Sequence, residues 1–183
     1  MRVIAGEHRG RRLVAPEGIA VRPTADRVRE ALFNALYSLG GVEGATVLDL
    51  FAGSGALGLE ALSRGAAAVV FVEQAPDALA CIRENIDTLG LSDRAEVVAG
   101  DAWSWLATHN RPFDIALLDP PYDFDRWVEL LAELDADVAV AESDRSLPDL
   151  DGWRLDREKA YGATVVTIIS RESRPGDPAE ATP

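Results

Sequence analysis

The chain of 183 residues predicts an α/β domain built on a mostly parallel, seven-stranded sheet with right-handed crossovers and helices on both faces. Three observations carry that expectation. From residue 47 onward, short apolar runs alternate with helical patterns. The first run, residues 47–50, leads directly into Gly53-x-Gly55-x-x-Gly58, the spacing of the tight strand-to-helix turn in nucleotide-binding βαβ units. The last two runs, residues 153–159 and 163–170, are joined by Tyr161-Gly162 and read as a closing antiparallel hairpin.

Composition narrows the class. Apolar residues make up 48 % and charged residues 27 %, which suits one globular domain with a sizeable core. The single cysteine, Cys81, excludes an internal disulfide framework and a multi-cysteine metal site. No apolar run approaches the ~20 residues of a membrane span, and the N-terminus has no signal-peptide core, so a soluble, cytoplasmic protein is expected. Net charge is −13, which by itself argues against a nucleic-acid partner. Residues 1–30, however, hold seven Arg against four acids, a net +3, which leaves −16 on residues 31–183. A basic arm precedes an acidic body.

Taken in order, residues 2–16 read as a β-hairpin with a turn at Gly6 to Gly10. His8, Arg9, Arg11 and Arg12 cluster at its tip, either as a solvated turn or as a phosphate-gripping finger. A helix follows, N-capped by Thr24, with Val28, Ala31, Leu32, Ala35, Leu36 and Leu39 on one face and Gly40-Gly41 at its end. Asp26, Arg27, Arg29 and Glu30 occupy the other face. Arg22, Thr24 and Arg27 stand at the helix start, where a ligand carboxylate is favoured; a plain solvated surface explains them equally well. Strands are expected at 47–50, 68–72, 95–98, 113–118 and 138–141, with helices at 58–64, 76–89, 103–108 and 127–134 between them. The Pro-containing tail beyond Arg171 is expected to be disordered.

The acids then fall into place. Asp49 lies near the end of the first strand, and Glu73, Asp101 and Asp119 at or just past the ends of the next three. In a doubly wound sheet those ends line one crevice. One acid there is readily a loop cap; four, with no Lys or Arg beside them, point to a ligand. Such a crevice repels a pyrophosphate and holds a cation bearing ribose hydroxyls and an amino group. S-adenosyl-L-methionine fits that description better than a nicotinamide dinucleotide does. Asp119-Pro120-Pro121-Tyr122 adds a rigid stretch rich in acceptors, because each proline fixes φ and removes a donor. Asp119 and the Pro120 carbonyl suit one amino group, and Tyr122 offers a stacking face.

Asp49-Leu-Phe-Ala-Gly-Ser-Gly55 with Asp119-Pro-Pro-Tyr122 resembles the Rossmann-like class I S-adenosylmethionine-dependent methyltransferases that act on exocyclic amines. His8 to Leu13, Arg22 to Asn34 and Phe51 to Arg64 further resemble the bacterial RsmD family, which methylates N2 of a guanine in 16S ribosomal RNA. The resemblance covers residues 1–171. It implies an RNA-binding extension at 1–41, a methyltransferase core at 42–171 and a tail at 172–183. It also implies that Asp49, Phe51, Gly53, Ser54, Gly55, Glu73, Asp101, Ala102 and Thr24 bind the cofactor, with no metal. Asp119, Pro120 and Tyr122 would hold the flipped base at the reacting methyl. His8, Arg9, Arg11, Arg12, Arg22, Arg27 and Arg29 would contact RNA, within an assembling small ribosomal subunit, the enzyme acting as a monomer. Trp103 and Trp127 match no motif and are expected in the core.

Three rivals are weighed against this. A protein-glutamine or DNA-adenine methyltransferase shares the glycine loop and the Asp119 tetrapeptide, but not the N-terminal motifs. A nicotinamide-dependent oxidoreductase calls for a neutral or basic crevice. A non-catalytic RNA-binding protein has no use for Asp119-Pro120-Pro121-Tyr122.

Overall fold

The computed structural model describes residues 1–16, 23–121 and 123–172, with side chains from Asp26 onward in the first helix. Arg22, Tyr122 and the tail from residue 173 lie outside the described residues, as does the side chain of Thr24.

The elements are α1 (Pro23–Tyr37), β1 (Thr46–Leu50), α2 (Ala56–Ser63), β2 (Ala68–Glu73), α3 (Pro76–Leu89), β3 (Ala95–Ala99), α4 (Ala102–Leu106), β4 (Phe113–Leu118), α5 (Trp127–Glu133), β5 (Ala136–Ser143), β6 (Trp153–Tyr161) and β7 (Thr164–Arg171). They build one seven-stranded sheet of order β3-β2-β1-β4-β5-β7-β6. β1 pairs in parallel with both β2 and β4, and β4 with β5, whereas β7 is antiparallel to β5 and β6. The expected fold class is therefore the observed one. The chain steps outward from β1 to β3 and then returns to β4, which makes the β1/β4 border the switch point where a crevice opens.

Alternation along the central strands feeds two cores. Val47, Ile115, Leu117 and Val140 join α1, α2 and α3 on one face. Leu48, Leu50, Ala116 and Leu118 join α4 and α5 on the other. Gly58 shows why one residue type is required at the end of the loop. A Cβ there would stand 2.3 Å from Phe71 Cε1, so α2 could not lie against β2.

Three boundaries differ from expectation. The first helix begins at Pro23, which places Thr24 inside its first turn rather than at the cap. β5 runs two residues past Ala141 because β7 pairs with it as far as Ser143. The N-terminal hairpin is the largest change: it holds a single bridge, Arg2 to Arg12, flanked by bonds from Val3 N to Arg11 O and from Leu13 N to Met1 O. Others of its polar groups turn to the body. Glu60 of α2, fully buried, accepts from Ile4 N at 2.8 Å, Ala5 N at 3.0 Å and Arg64 Nε at 2.7 Å. Ser63 donates to Ala5 O and accepts from His8 N, and Asn85 of α3 bonds both backbone groups of Val14.

Arg29 belongs to the same network, which corrects its assignment to an RNA-facing surface. It is 4 % exposed, donates to Arg2 O at 2.7 Å and Asp26 Oδ1 at 3.0 Å, and lies 3.8 Å from Glu60. Its helical position points it inward because α1 crosses the hairpin there. Removing one partner of a buried, hydrogen-bonded charge cluster costs about 3–5 kcal/mol. Glu60→Ala should therefore lower stability by about that amount in urea unfolding and speed amide exchange at Ile4 and Ala5. Unchanged exchange at those two amides would show that the hairpin is held by something else.

Candidate active site

The glycine loop turns from β1 into α2 through three left-handed residues, Phe51 (φ 65°), Gly53 (φ 55°) and Gly55 (φ 77°). Phe51 is the one non-glycine residue with positive φ among those described, a costly conformation for a bulky side chain. Its ring packs edge-on against Phe124, centroids 5.7 Å apart, on the wall of the crevice.

Three donors of this loop are already engaged. Gly58 N donates to Asp49 Oδ2 at 2.8 Å, Gly53 N to Glu73 Oε2 at 2.8 Å, and Gly55 N to Ala52 O at 2.7 Å. A phosphate-binding loop leaves such N–H groups free for its anion. Here the protein's own carboxylates take that place, so the site suits a cation rather than a pyrophosphate. This observation disfavours the dinucleotide reading.

The crevice beside the loop has a volume of about 760 Å³ including its open mouth. It is lined by Phe51, Val72, Glu73, Gln74, Gly100, Asp101, Ala102, Asp119, Pro120 and Pro121, so six of the residues expected to act at the site meet in one place. Glu73 is fixed by its bond from Gly53 and two more from Gln74 N and Ala75 N. Asp101 caps α4, accepting from Ser104 N at 2.9 Å and Ser104 Oγ at 3.1 Å. It is thus a helix cap and a wall of the crevice at once.

Asp49, Gly53, Ser54 and Gly55 are not among the walls of the crevice. Asp49 is 1 % exposed and lies beneath the crevice, tied to α2. Ser54 is buried, its hydroxyl directed at Met1 Sδ at 3.7 Å and its carbonyl accepting from Asn85. Burial pushes the Asp49 carboxyl up from 3.8 to about 8; the Gly58 N–H opposes this, and the charges of Asp119 and Glu73 add to it. Asp119 keeps an opening to solvent, yet protein crowds it on most sides, and the resulting desolvation raises it to about 6.

Sequence reasoning missed two features. Glu142, near the end of β5, shares a recess with Asp119, Pro120, Pro121, Phe124, Trp127, Ser143, Asp144 and Thr164. The signal was present, since an acid near a strand end is the rule that found the other four; Glu142 lies just past the expected end at Ala141, in the two residues by which β5 is longer. Trp103 is half-buried and packs against the edge of the second core, stacked on Phe124 at 6.2 Å with the Arg126 guanidinium 4.0 Å above it. Trp127 is in the core, 3 % exposed. Among the described residues no group of three or more His, Cys, Asp or Glu side chains is arranged to hold a metal ion.

On the basic arm, Arg9, Arg11, Arg12 and Arg27 are exposed, with Arg11 Nη2 donating to Thr88 O at 2.9 Å. His8 is half-buried beside Glu7, which also pairs with Arg94.

Comparison with known proteins settles the lineage. A family model described as "Conserved hypothetical protein 95" matches residues 1–170. The chain belongs to this family. Members include "Ribosomal RNA small subunit methyltransferase D" of Escherichia coli K12, 39 % identical over 95 % of this chain and 91 % of the relative. The protein of the same name from Haemophilus influenzae is 38 % identical over 88 % of this chain and 89 % of its own. A solved structure, "Putative methyltransferase yhhF from Escherichia coli", superposes with a TM-score of 0.83 at 38 % identity, covering 95 % of this chain and 99 % of that one. The family is the RsmD family that the N-terminal and loop motifs resemble, and its similarity spans the basic arm as well as the crevice.

The buried Asp49 gives a stability test. Its folded pKa is above its ordinary 3.8, so its protonated form favours folding; that contribution is complete below 3.8 and lost as pH rises through about 8. Asn at this position stays neutral and keeps an oxygen for Gly58. The thermal midpoint of Asp49→Asn should therefore gain on the wild type steadily from pH 4 to pH 8 (about the interval between the two pKa values). A constant difference across that range would place the Asp49 charge in a solvated setting.

Proposed function

We propose that this protein transfers a methyl group from S-adenosylmethionine to the exocyclic N2 of a guanine in 16S ribosomal RNA, in the cytoplasm, on a small subunit under assembly. The observation that carries the reading is the conjunction of an acid-lined crevice, where Glu73 and Asp49 take the Gly53 and Gly58 donors of the loop, with kinship over 95 % of the chain to ribosomal RNA small subunit methyltransferase D.

The donor set fits the cofactor. Glu73 and Asp101 offer acceptors to ribose hydroxyls and an adenine amino group, the Ala102 N–H offers a donor to the adenine ring, and Phe51 offers an apolar wall. Asp49 and the Gly53 to Gly55 backbone, Ser54 included, support the methionine end, and Thr24 is assigned to the cofactor on the family motif alone. Bound there, S-adenosylmethionine supplies an electrophilic methyl group on a sulfonium.

The chain's own residues prepare the amine. Asp119 and the Pro120 carbonyl accept from N2, fixing it where positive charge develops, and Tyr122 supplies a stacking face for the base. Once the N–CH3 bond has formed, the nitrogen carries an extra proton, which passes to the Asp119 carboxylate and then to water. Arg9, Arg11, Arg12, Arg22 and Arg27, with His8 beside them, grip phosphates. The acidic body is screened beyond the ~8 Å Debye length of physiological salt, so these contacts prevail locally.

Mapping modified nucleosides in 16S ribosomal RNA from cells with and without the protein tests the reading directly. N2-methylguanosine should vanish at one position in the deleted strain; loss of a methylated adenine or of no nucleoside would overturn it. In single-turnover assays Asp119→Ala should slow the chemical step while cofactor affinity holds. The wild-type rate should fall as pH drops through about 6, where Asp119 takes up its proton.

Replacing Arg9, Arg11 and Arg12 together by Ala should leave cofactor affinity intact. It should lower RNA affinity and flatten its salt dependence by roughly one unit of slope per lost phosphate contact. Normal methylation at limiting RNA would mean that these side chains are only a solvated turn.

A further inference from the structure

Asp119 and Glu142 sit side by side. β4 and β5 are parallel neighbours with Leu118 opposite Ala141, so the next residue on each strand is Asp119 and Glu142. Strands lie about 4.8 Å apart, and side chains two residues apart share a face. Leu117 and Val140 both point into the core beneath α1, α2 and α3. Asp119 and Glu142 follow on that same side and line one recess with Pro120 and Pro121. The charged groups facing Glu142 are Asp119 from the end of β4, Asp49 from β1 and Arg29 from α1.

The geometry points to Glu142 as the residue that selects guanine: beside the amine-holding pair Asp119 and Pro120, it offers a second acceptor to the ring N1–H adjoining N2. This deepens the guanine N2 reading above and rests on it. An exocyclic amine alone does not distinguish the bases, since adenine N6 and cytosine N4 are amines too. What differs is the neighbouring ring atom. Guanine carries a hydrogen on N1, next to its amine; adenine N1 and cytosine N3 carry a lone pair there. An acceptor beside Asp119 therefore completes the guanine edge and faces a lone pair in either competitor. Sites that hydrogen-bond a substrate group reject analogues lacking it far more strongly than apolar pockets do.

The protonation of Glu142 is consistent with that role. Burial, with Asp119 and Asp49 adding and Arg29 opposing, lifts its carboxyl to about 8. A neutral carboxyl beside the Asp119 carboxylate keeps its proton for that neighbour and leaves its carbonyl oxygen as the acceptor. Gln presents the same carbonyl and a donor in place of the O–H; Ala presents neither.

The test uses small-subunit particles reconstituted with guanine, or with 2-aminopurine, at the mapped target position. 2-Aminopurine keeps the 2-amino group and lacks the N1 hydrogen. In single-turnover assays Glu142→Ala should lose on the order of 10–100-fold on guanine, with no matching loss on 2-aminopurine. Glu142→Gln should recover most of the guanine rate, and calorimetry should show cofactor affinity unchanged in both variants. Equal losses on the two bases, or a guanine rate that Ala leaves unchanged, would overturn the assignment. Should 2-aminopurine be inert with both proteins, the guanine rates decide: a loss restored by Gln supports the role, and a loss that Gln does not restore refutes it. Failure of the wild type to form N2-methylguanosine would instead overturn the reading on which this one rests.

Discussion

Two backbone N–H groups set the character of this protein. Gly53 and Gly58 begin the turn that in other βαβ units cradles a phosphate, and here they donate to Glu73 and Asp49. Each bond stabilises a carboxylate that would otherwise repel its neighbours, and each removes a donor that a phosphate would need. The loop is thereby turned from an anion receptor into scaffolding for an anionic crevice. The left-handed Phe51 and the close approach of Gly58 to Phe71 are the steric conditions for it. Desolvation raises the carboxyls of Asp49, Asp119 and Glu142 above their ordinary values, and for Asp49 and Glu142 neighbouring acids add to it. A cationic ligand relieves that repulsion, which couples cofactor binding to the charge state of the whole floor.

The second organising contact is Glu60. It stands on α2, the helix that the glycine loop opens, and it collects the backbone of Ile4 and Ala5 together with Arg64 and Arg29. The basic arm is thus seated on the same short helix that ends the cofactor loop. The backbone of Ile4 and Ala5 is thereby fixed to the body through a buried side chain.

Much of this was legible in the residues. The alternation of β and α patterns, the glycine spacing and the acids at strand ends gave the fold class and the crevice, because each rests on local rules of period and turn chemistry. The failures share a cause. Arg29 looked like a surface residue on helical spacing alone, and only the hairpin crossing above it makes it a buried ion-pair partner. The hairpin bonds to itself only in part; the Ile4, Ala5, His8 and Val14 donors find Glu60, Ser63 and Asn85, at sequence separations no local pattern encodes. Trp103, expected in the core, packs on the edge of it and is only half-buried, since α4 is five residues long. Glu142 was passed over because β5 gains two residues from pairing with β7.

The central claim is that two of the loop donors, Gly53 N and Gly58 N, are spent on protein carboxylates, so the crevice takes a cation with ribose and amino groups and refuses a pyrophosphate. Calorimetric titration of the purified protein with S-adenosylmethionine and with NAD, under identical salt and pH, tests it most directly. Saturable binding of S-adenosylmethionine with no measurable heat from NAD is the predicted result. Comparable affinity for NAD would contradict the account, because it would require Gly53 and Gly58 to abandon Glu73 and Asp49.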